Sequence, residues 1–218
     1  MKVKIGSSYP ILLIIFLVFT ILLIKILENY EGTGDEIFDS DSITVTDRTY
    51  YNKYYRFKIS VPTADWSITY YGGIDSLRPE NPELGILNNI NLIAKFERKH
   101  KDSVLTVVDV GIIDLAQPEV PHLLAMQCLE EIIGTYQNLN KNITIIKDVT
   151  SVVSGPLKGA YFVVDLPAVD EGYPFPKWVV MFVIKDNFAY SIICQVSREN
   201  YNLFRDDFQE IISSFRFI

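Results

Sequence analysis

The stretch that decides the fold is Trp178-Val179-Val180-Met181-Phe182-Val183-Ile184, in which every residue is apolar. Successive side chains of a β-strand point to opposite faces of the sheet, so a strand that is apolar at every position must be covered on both faces. Residues 104–108 have a similar character. Since one helix cannot cover both faces, we expect helices on either side of a central sheet.

Further strand patterns occur before and after this run. Residues 188–196 follow it across the turn Asp186-Asn187, and residues 90–96 and 104–113 surround a charged turn. Short connections of this kind join antiparallel neighbours. The remaining predicted strands are residues 57–61, 68–71, 143–153 and 159–166.

Two long helices are predicted from apolar residues that recur at steps of three and four. The first begins near Pro118 and Pro121 and ends at about Asn138, and the second lies near the end of the sequence. Their apolar stripes are Ala125, Cys128, Leu129, Ile132 and Tyr136 in the first, and Tyr201, Phe204, Phe208, Ile211, Ile212 and Phe215 in the second. The fold class that follows is α+β, a three-layer α/β/α sandwich with a mainly antiparallel sheet.

Two motifs resemble those of PsbP-like domains. The first reads Tyr55-x-Phe57-x-Ile59-x-Val61-Pro62-x-x-x-Trp66 and is similar to the F-x-I-x-x-P-x-x-W opening of that family. The second reads Phe208-Gln209-Glu210-Ile211-Ile212-Ser213-Ser214-Phe215-Arg216-Phe217 and is similar to its closing helix. The resemblance covers residues 50–218. It implies an α/β/α sandwich that acts as a binding or accessory module at a membrane surface, and its motifs are structural rather than catalytic.

An apolar run near the amino terminus, residues 11–27, is broken only by one threonine and Lys25. As a helix, residues 10–27 would be about 27 Å long, which just spans a hydrocarbon core of about 30 Å. The stem of Lys25 can extend toward the interface. The uncharged part, residues 11–24, is also short enough for a cleaved signal peptide, although only two glycines beyond it suggest a cleavage site. We expect an uncleaved transmembrane signal-anchor over residues 10–27, and the cleaved alternative stays open.

The charges beside this run predict its orientation. Two lysines precede it and acidic residues follow it, and positively charged flanks remain in the cytoplasm. Residues 1–9 are therefore expected in the cytoplasm, residues 10–27 in the lipid bilayer of the cell membrane as a single pass, and the globular domain outside. Residues 28–49 are rich in Asp, Glu, Ser, Thr and Gly and are predicted to form a flexible acidic stalk that leads to the PsbP-like domain, residues 50–218.

The composition argues against two classes of function. Without residues 1–27, the chain has 17 Lys and Arg against 27 Asp and Glu, a formal net charge of about −10 that opposes nucleic-acid binding. The two histidines are His100, in a charged turn, and His122, beside Pro121, and neither belongs to a recognisable catalytic motif. The nucleophile motif G-x-S-x-G does not occur. We therefore predict no catalytic residue, no cofactor and no metal site, and expect a protein that is not an enzyme.

The two cysteines, Cys128 and Cys194, lie among apolar residues. We expect two separate buried thiols, because free cysteine is among the residue types most often buried. A disulfide between the predicted helix and strand stays open as the alternative, since the domain is expected in a compartment that permits it.

Aromatic residues in turns are the candidate partner contacts. Tyr70 and Tyr71 precede two glycines, and Tyr173 and Phe175 alternate with prolines. Exposed aromatic rings are frequent in recognition surfaces, so we expect at least two of the four in one exposed patch that contacts an unidentified envelope or membrane protein. The predicted function is a membrane-anchored extracytoplasmic binding or accessory module that recognises a protein or ligand. The alternatives are a structural envelope component without a dedicated site and, after it, a hydrolase.

Overall fold

A computed structural model describes residues 43–46, 48–71, 85–101, 103–117, 119–154, 157–167 and 174–218. The predicted cytoplasmic residues 1–9, the predicted transmembrane residues 10–27 and most of the predicted stalk lie outside the described residues. Within the described ranges, no helix has both the length and the apolar character needed to cross a bilayer.

A seven-stranded antiparallel sheet forms the middle of the domain. Its strands are β4 (Trp66–Tyr70), β5 (Asn91–His100), β6 (Ser103–Asp114), β7 (Thr144–Ser154), β8 (Leu157–Asp165), β9 (Lys177–Lys185) and β10 (Phe188–Val196). Their order across the sheet is β4-β5-β6-β10-β9-β8-β7. The apolar run that begins at Trp178 lies in β9, between β10 and β8, and is an interior strand as its composition predicts.

Three helices are described. They are α1 (Ile86–Asn89), α2 (Pro121–Asn138) and α3 (Tyr201–Ser214). The two long helices agree with the sequence prediction, whereas α1 is a single turn within residues 76–89, where proline and asparagine residues predict a long loop. It lies beside α2, where the backbone N–H of Leu87 donates a hydrogen bond to Glu131 at 3.1 Å.

The long helices cover opposite faces of the seven-stranded sheet. Val180 and Phe182 belong to the apolar core beneath α2, whereas Met181 and Val183 belong to a second core beneath α3. Alternate residues of β9 therefore contribute to different cores, which confirms the expectation that both of its faces are covered.

A second, four-stranded sheet shares the layer of α3, and the sequence does not predict it. It consists of β1 (Ile43–Thr46), β2 (Thr49–Asn52), β3 (Phe57–Ser60) and β11 (Arg216–Phe217), in the order β1-β2-β3-β11. The stalk prediction is corrected at its end, because β1 and the first residue of β2 are paired strand residues. The third layer is thus a helix and a small sheet together.

Buried aromatic rings join this layer to the seven-stranded sheet. Phe215, directly after α3, stacks on Phe57 of β3 with ring centroids 5.2 Å apart, and it meets Tyr190 of β10 at 5.5 Å. The Tyr190 hydroxyl donates a hydrogen bond to the carbonyl oxygen of Tyr55 at 2.8 Å. These contacts join the opening motif, which contains Tyr55 and Phe57, and the closing motif, which contains Phe215, in a single packed unit.

The two cysteines are buried as free thiols. Cys128 belongs to the core beneath α2, and Cys194 belongs to the core beneath α3, so the sheet lies between them. The expectation of two separate buried thiols is confirmed, and the alternative of a disulfide between them is wrong.

Candidate functional site

The four predicted partner contacts have different surroundings. Tyr70 and Tyr71 lie at the end of β4, the outermost strand, with 52% and 39% of their surfaces exposed. Phe175 is partly buried just before β9, and its carbonyl oxygen accepts a hydrogen bond from the Trp178 indole N–H at 3.0 Å. Tyr173 lies outside the described residues.

The fold does not bring the tyrosine pair and Phe175 together. Strands β5, β6 and β10 separate β4 from β9, which corresponds to about 19 Å across the sheet at 4.8 Å per strand. Tyr70 and Tyr71 are therefore exposed at one edge of the sheet, and Phe175 belongs to a different part of the surface.

Tyr71 is next to a row of polar side chains on the α2 face of the sheet. Its side chain forms a hydrogen bond with Lys95 of β5, which is paired with Asp109 of β6. Asp109 accepts a hydrogen bond from the Gln195 amide at 2.6 Å. Burial raises the pKa of Asp109, and the charge of Lys95 and the hydrogen bond from Gln195 oppose this effect only in part. The row is thus a local polar network within an otherwise apolar sheet face.

A cleft of about 590 Å³ lies on the opposite face, between α3 and the strands β7, β8 and β9. It is present because α3 packs chiefly on β3 and β10 and leaves these three strands less covered. The apolar lining comes from strand residues and one side of the helix, namely Val152, Val153, Leu157, Val163, Val179, Met181, Phe208 and Ile212. The sequence predicts the strands and the helix that carry these side chains, but it does not indicate that a cavity separates the helix from the strands.

One end of the cleft carries polar and cationic groups. Lys147 of β7 donates a hydrogen bond to the hydroxyl of Tyr161 on β8, and Tyr201 and Arg205 face them from the first turns of α3. Burial raises the pKa of Tyr201, and the nearby cations Arg205 and Lys147 oppose that rise in part. The Tyr201 phenol is therefore neutral near pH 7 and available as a hydrogen-bond donor.

The other end of the cleft is mainly apolar, with Ser213 as a polar residue of the helical wall. Across the strands, Lys147 is level with Val163 and Val179, whereas Val152 is level with Gly159. Because β7 has an irregularity after Lys147, the distance along the sheet is better taken from β8, where the partners Val163 and Gly159 are about 13 Å apart at about 3.3 Å per residue. The helical wall between Tyr201 and Ser213 is about 18 Å long at 1.5 Å per residue. The cleft is therefore long and polarised, with its cations at the Tyr201 end.

The charges at this end are only partly neutralised. Arg205 lies 3.5 Å from Asp206, but both side chains are largely exposed, and such pairs contribute little. Lys177 lies 4.5 Å from the ring centroid of Tyr201 and 4.0 Å from Asp165, which also pairs with Arg198 at 2.6 Å. Within the described part of the chain, no carboxylate lies within ion-pair distance of Lys147. In a strongly acidic domain, this end of the cleft is therefore locally cationic.

His122 has one hydrogen-bond partner that the sequence does not indicate. In the first turn of α2, its ring Nδ1 lies 3.1 Å from the hydroxyl oxygen of Ser151 on β7. Nucleophilic catalysis also needs a group that orients the histidine and donors for an oxyanion, and the described residues provide no such third group beside this pair. They also contain no group of three or more His, Cys, Asp or Glu side chains arranged to hold a metal ion.

The domain has a PsbP-like fold. It is similar to the solution structure of cyanobacterial PsbP (CyanoP) from Synechocystis sp. PCC 6803, with a TM-score of 0.54 and 10% sequence identity over 80% of this chain and 95% of that chain. A crystal structure from Bacteroides thetaiotaomicron VPI-5482 matches with a TM-score of 0.39 and 12% identity, over 75% of this chain and 45% of that chain. No family model matches the sequence, and no curated protein matches it. The first similarity supports the fold that the sequence motifs imply.

Proposed function

We propose that this protein is a membrane-anchored extracytoplasmic accessory module that recognises a protein or ligand without catalysing a reaction. Residues 10–27 would cross the cell membrane once, with residues 1–9 in the cytoplasm and the PsbP-like domain outside. Lys2 and Lys4 before the apolar run and the acidic residues after it favour this orientation.

The observation that carries the proposal is the cleft beside α3. Its volume of about 590 Å³ is in the range of ligand-binding sites, and its mainly apolar lining with polar groups concentrated toward one end is typical of such sites. The partner we expect is an envelope or membrane protein, or a ligand that such a protein shares. The acidic composition opposes nucleic acid as a partner.

Site-specific photo-crosslinking in native membranes tests this function. A photoreactive amino acid at position 209 would report on the cleft, because Gln209 lines it, whereas the same group at Glu210 is the matched control on the neighbouring side of the helix. We expect a defined adduct from position 209 and little from position 210. Equal adducts at both positions would favour the structural envelope component without a dedicated site.

The exposed tyrosines provide a second arm of the same experiment. If Tyr70 and Tyr71 contact the partner, Tyr70→Ala and Tyr71→Ala should weaken the adduct from position 209, and Phe175→Ala should act independently of them because it lies elsewhere on the surface. An unchanged adduct in all three variants would restrict recognition to the cleft.

The anchor and orientation have a test of their own. Protease added to whole cells should digest the domain, and the chain purified from membranes should retain residues 10–27. A mature chain that begins beyond Asn29 and appears in the medium, or a domain that protease cannot reach, would contradict the proposed location.

A further inference from the structure

We infer that the cleft beside α3 binds one anionic amphiphile with a single acyl chain, a long-chain fatty carboxylate, whose carboxylate lies at the Lys147 and Arg205 end. This inference rests on the proposed function, because it takes the cleft as the recognition site and names the chemistry of its occupant.

The floor of the cleft favours a hydrocarbon chain over a peptide. Apart from Lys147 and Tyr161, the strand side of the cleft offers only apolar side chains, among them Val163, Val179, Met181 and Leu157. A peptide on this floor would bury backbone N–H and C=O groups without partners there, at a cost that a hydrocarbon chain avoids. The cleft is also elongated, with a strand wall about 13 Å long and a helical wall about 18 Å long, which suits an extended chain.

The polar end favours a carboxylate. Lys147 and Arg205 supply two cationic donors, and the phenols of Tyr161 and Tyr201 lie beside them. An arginine can hold both oxygens of a carboxylate, and hydrogen bonds between ionised groups are stronger than neutral ones. The remainder of the domain is acidic and repels anions, so the location of this positive end selects where the headgroup binds.

The size of the cleft favours one chain. About 590 Å³ suits a molecule of drug size. A phospholipid with two acyl chains would leave one chain exposed to water, and that exposure would cost free energy for each methylene group. The occupant is therefore a single-chain lipid rather than a bilayer phospholipid.

The probe for the test is a palmitic acid analogue with a photoreactive diazirine on its chain. The full-length protein in lipid nanodiscs is irradiated with this probe, and the modified peptides are identified by mass spectrometry. We expect modification in β8, β9 and α3, competition by excess palmitate, and at least tenfold less modification by the uncharged alcohol of the same chain length. Equal modification by the alcohol would overturn the inference, because the cationic end would then have no role.

Charge variants provide the second measurement. Lys147→Met and Arg205→Gln together should reduce modification by the acid probe on the order of tenfold and leave the alcohol unchanged. Both side chains are exposed, so folding should be preserved. Lys158→Met is the matched control, since Lys158 is an exposed lysine of β8 outside the cleft lining, and it should have no effect. An equal loss of modification by the acid probe in the double variant and in Lys158→Met would contradict the inference.

A third variant separates this inference from the proposed function. Ile212→Trp should fill the apolar end and abolish modification by the acid probe. If the probe never modifies the cleft while position 209 still crosslinks to a protein, the occupant is a protein segment, so the inference is wrong and the proposed function stands. If neither the probe nor a protein is captured, both are wrong.

Discussion

Truncating Phe215 to alanine is expected to destabilise the domain by about 4 kcal/mol, within the range for large aromatic residues in protein cores. The ring is completely buried and contacts Phe57 at 5.2 Å, Phe217 at 5.3 Å and Tyr190 at 5.5 Å between centroids. It therefore connects α3 and the small sheet to the seven-stranded sheet. Because small domains have only about 5 to 15 kcal/mol of stability in total, this loss should be large.

The ring geometry can be separated from the apolar volume. Phe215→Leu retains most of the buried volume and should cost about 1 to 2 kcal/mol. If the stacked pair contributes beyond its area, a double-mutant cycle of Phe215→Leu with Phe57→Leu should give a coupling of about 0.5 to 1.5 kcal/mol.

Urea unfolding of the full-length chain in nanodiscs, followed by tryptophan fluorescence, measures these values. Trp66 is buried and meets Phe204 of α3 at 6.4 Å, so it reports on this layer. Leu203→Ala is the control on the same helix, since Leu203 is 67% exposed and its truncation should change stability by less than about 0.5 kcal/mol. A Phe215→Ala cost no larger than that of Leu203→Ala would refute the packing argument.

Three further predictions concern single positions. Gly159→Ala should destabilise, because its methyl group would lie 2.8 Å from a backbone carbonyl oxygen, whereas Gly134→Ala in α2 meets no atom within 4 Å and should stabilise by up to about 1 kcal/mol; urea unfolding distinguishes the signs. Cys128 and Cys194 should resist maleimide until the chain unfolds and should show no disulfide on non-reducing gels, because burial raises the pKa of both thiols. Burial also raises the pKa of Asp109 above its unfolded value of 3.8, so the folded state binds the proton more tightly, and wild-type stability relative to Asp109→Asn should fall as the pH rises above about 4. A flat or rising difference would contradict the sign.

The strands of the large sheet and the two long helices could be predicted because each is long enough to show its own period. For example, the strand predicted over residues 188–196 has the same bounds as β10 in the structure. The second sheet could not be predicted, since β1 has four residues and β11 has two, and such short strands depend on their pairing partners rather than on their own pattern.

The candidate site was less accessible to sequence reasoning. Tyr70 and Tyr71 are exposed as expected, but the distance between them and Phe175 depends on the order of strands in the sheet. The cleft was missed for a related reason. Lys147, Tyr161 and Arg205 come from three elements, and each reads in the sequence as an ordinary surface or edge residue.

Local chemistry in the sequence therefore determined which segments are strands or helices, which of their faces are apolar, and the acidic character of the domain. These properties depend on residues close together along the chain. Only the tertiary structure decided that the layer of α3 includes a second sheet, that the sheet separates the two thiols, and that a polarised cleft opens over β7 to β9. Those features depend on how far a helix extends over a sheet, which is set by packing among residues distant in sequence, such as Phe57 with Phe215.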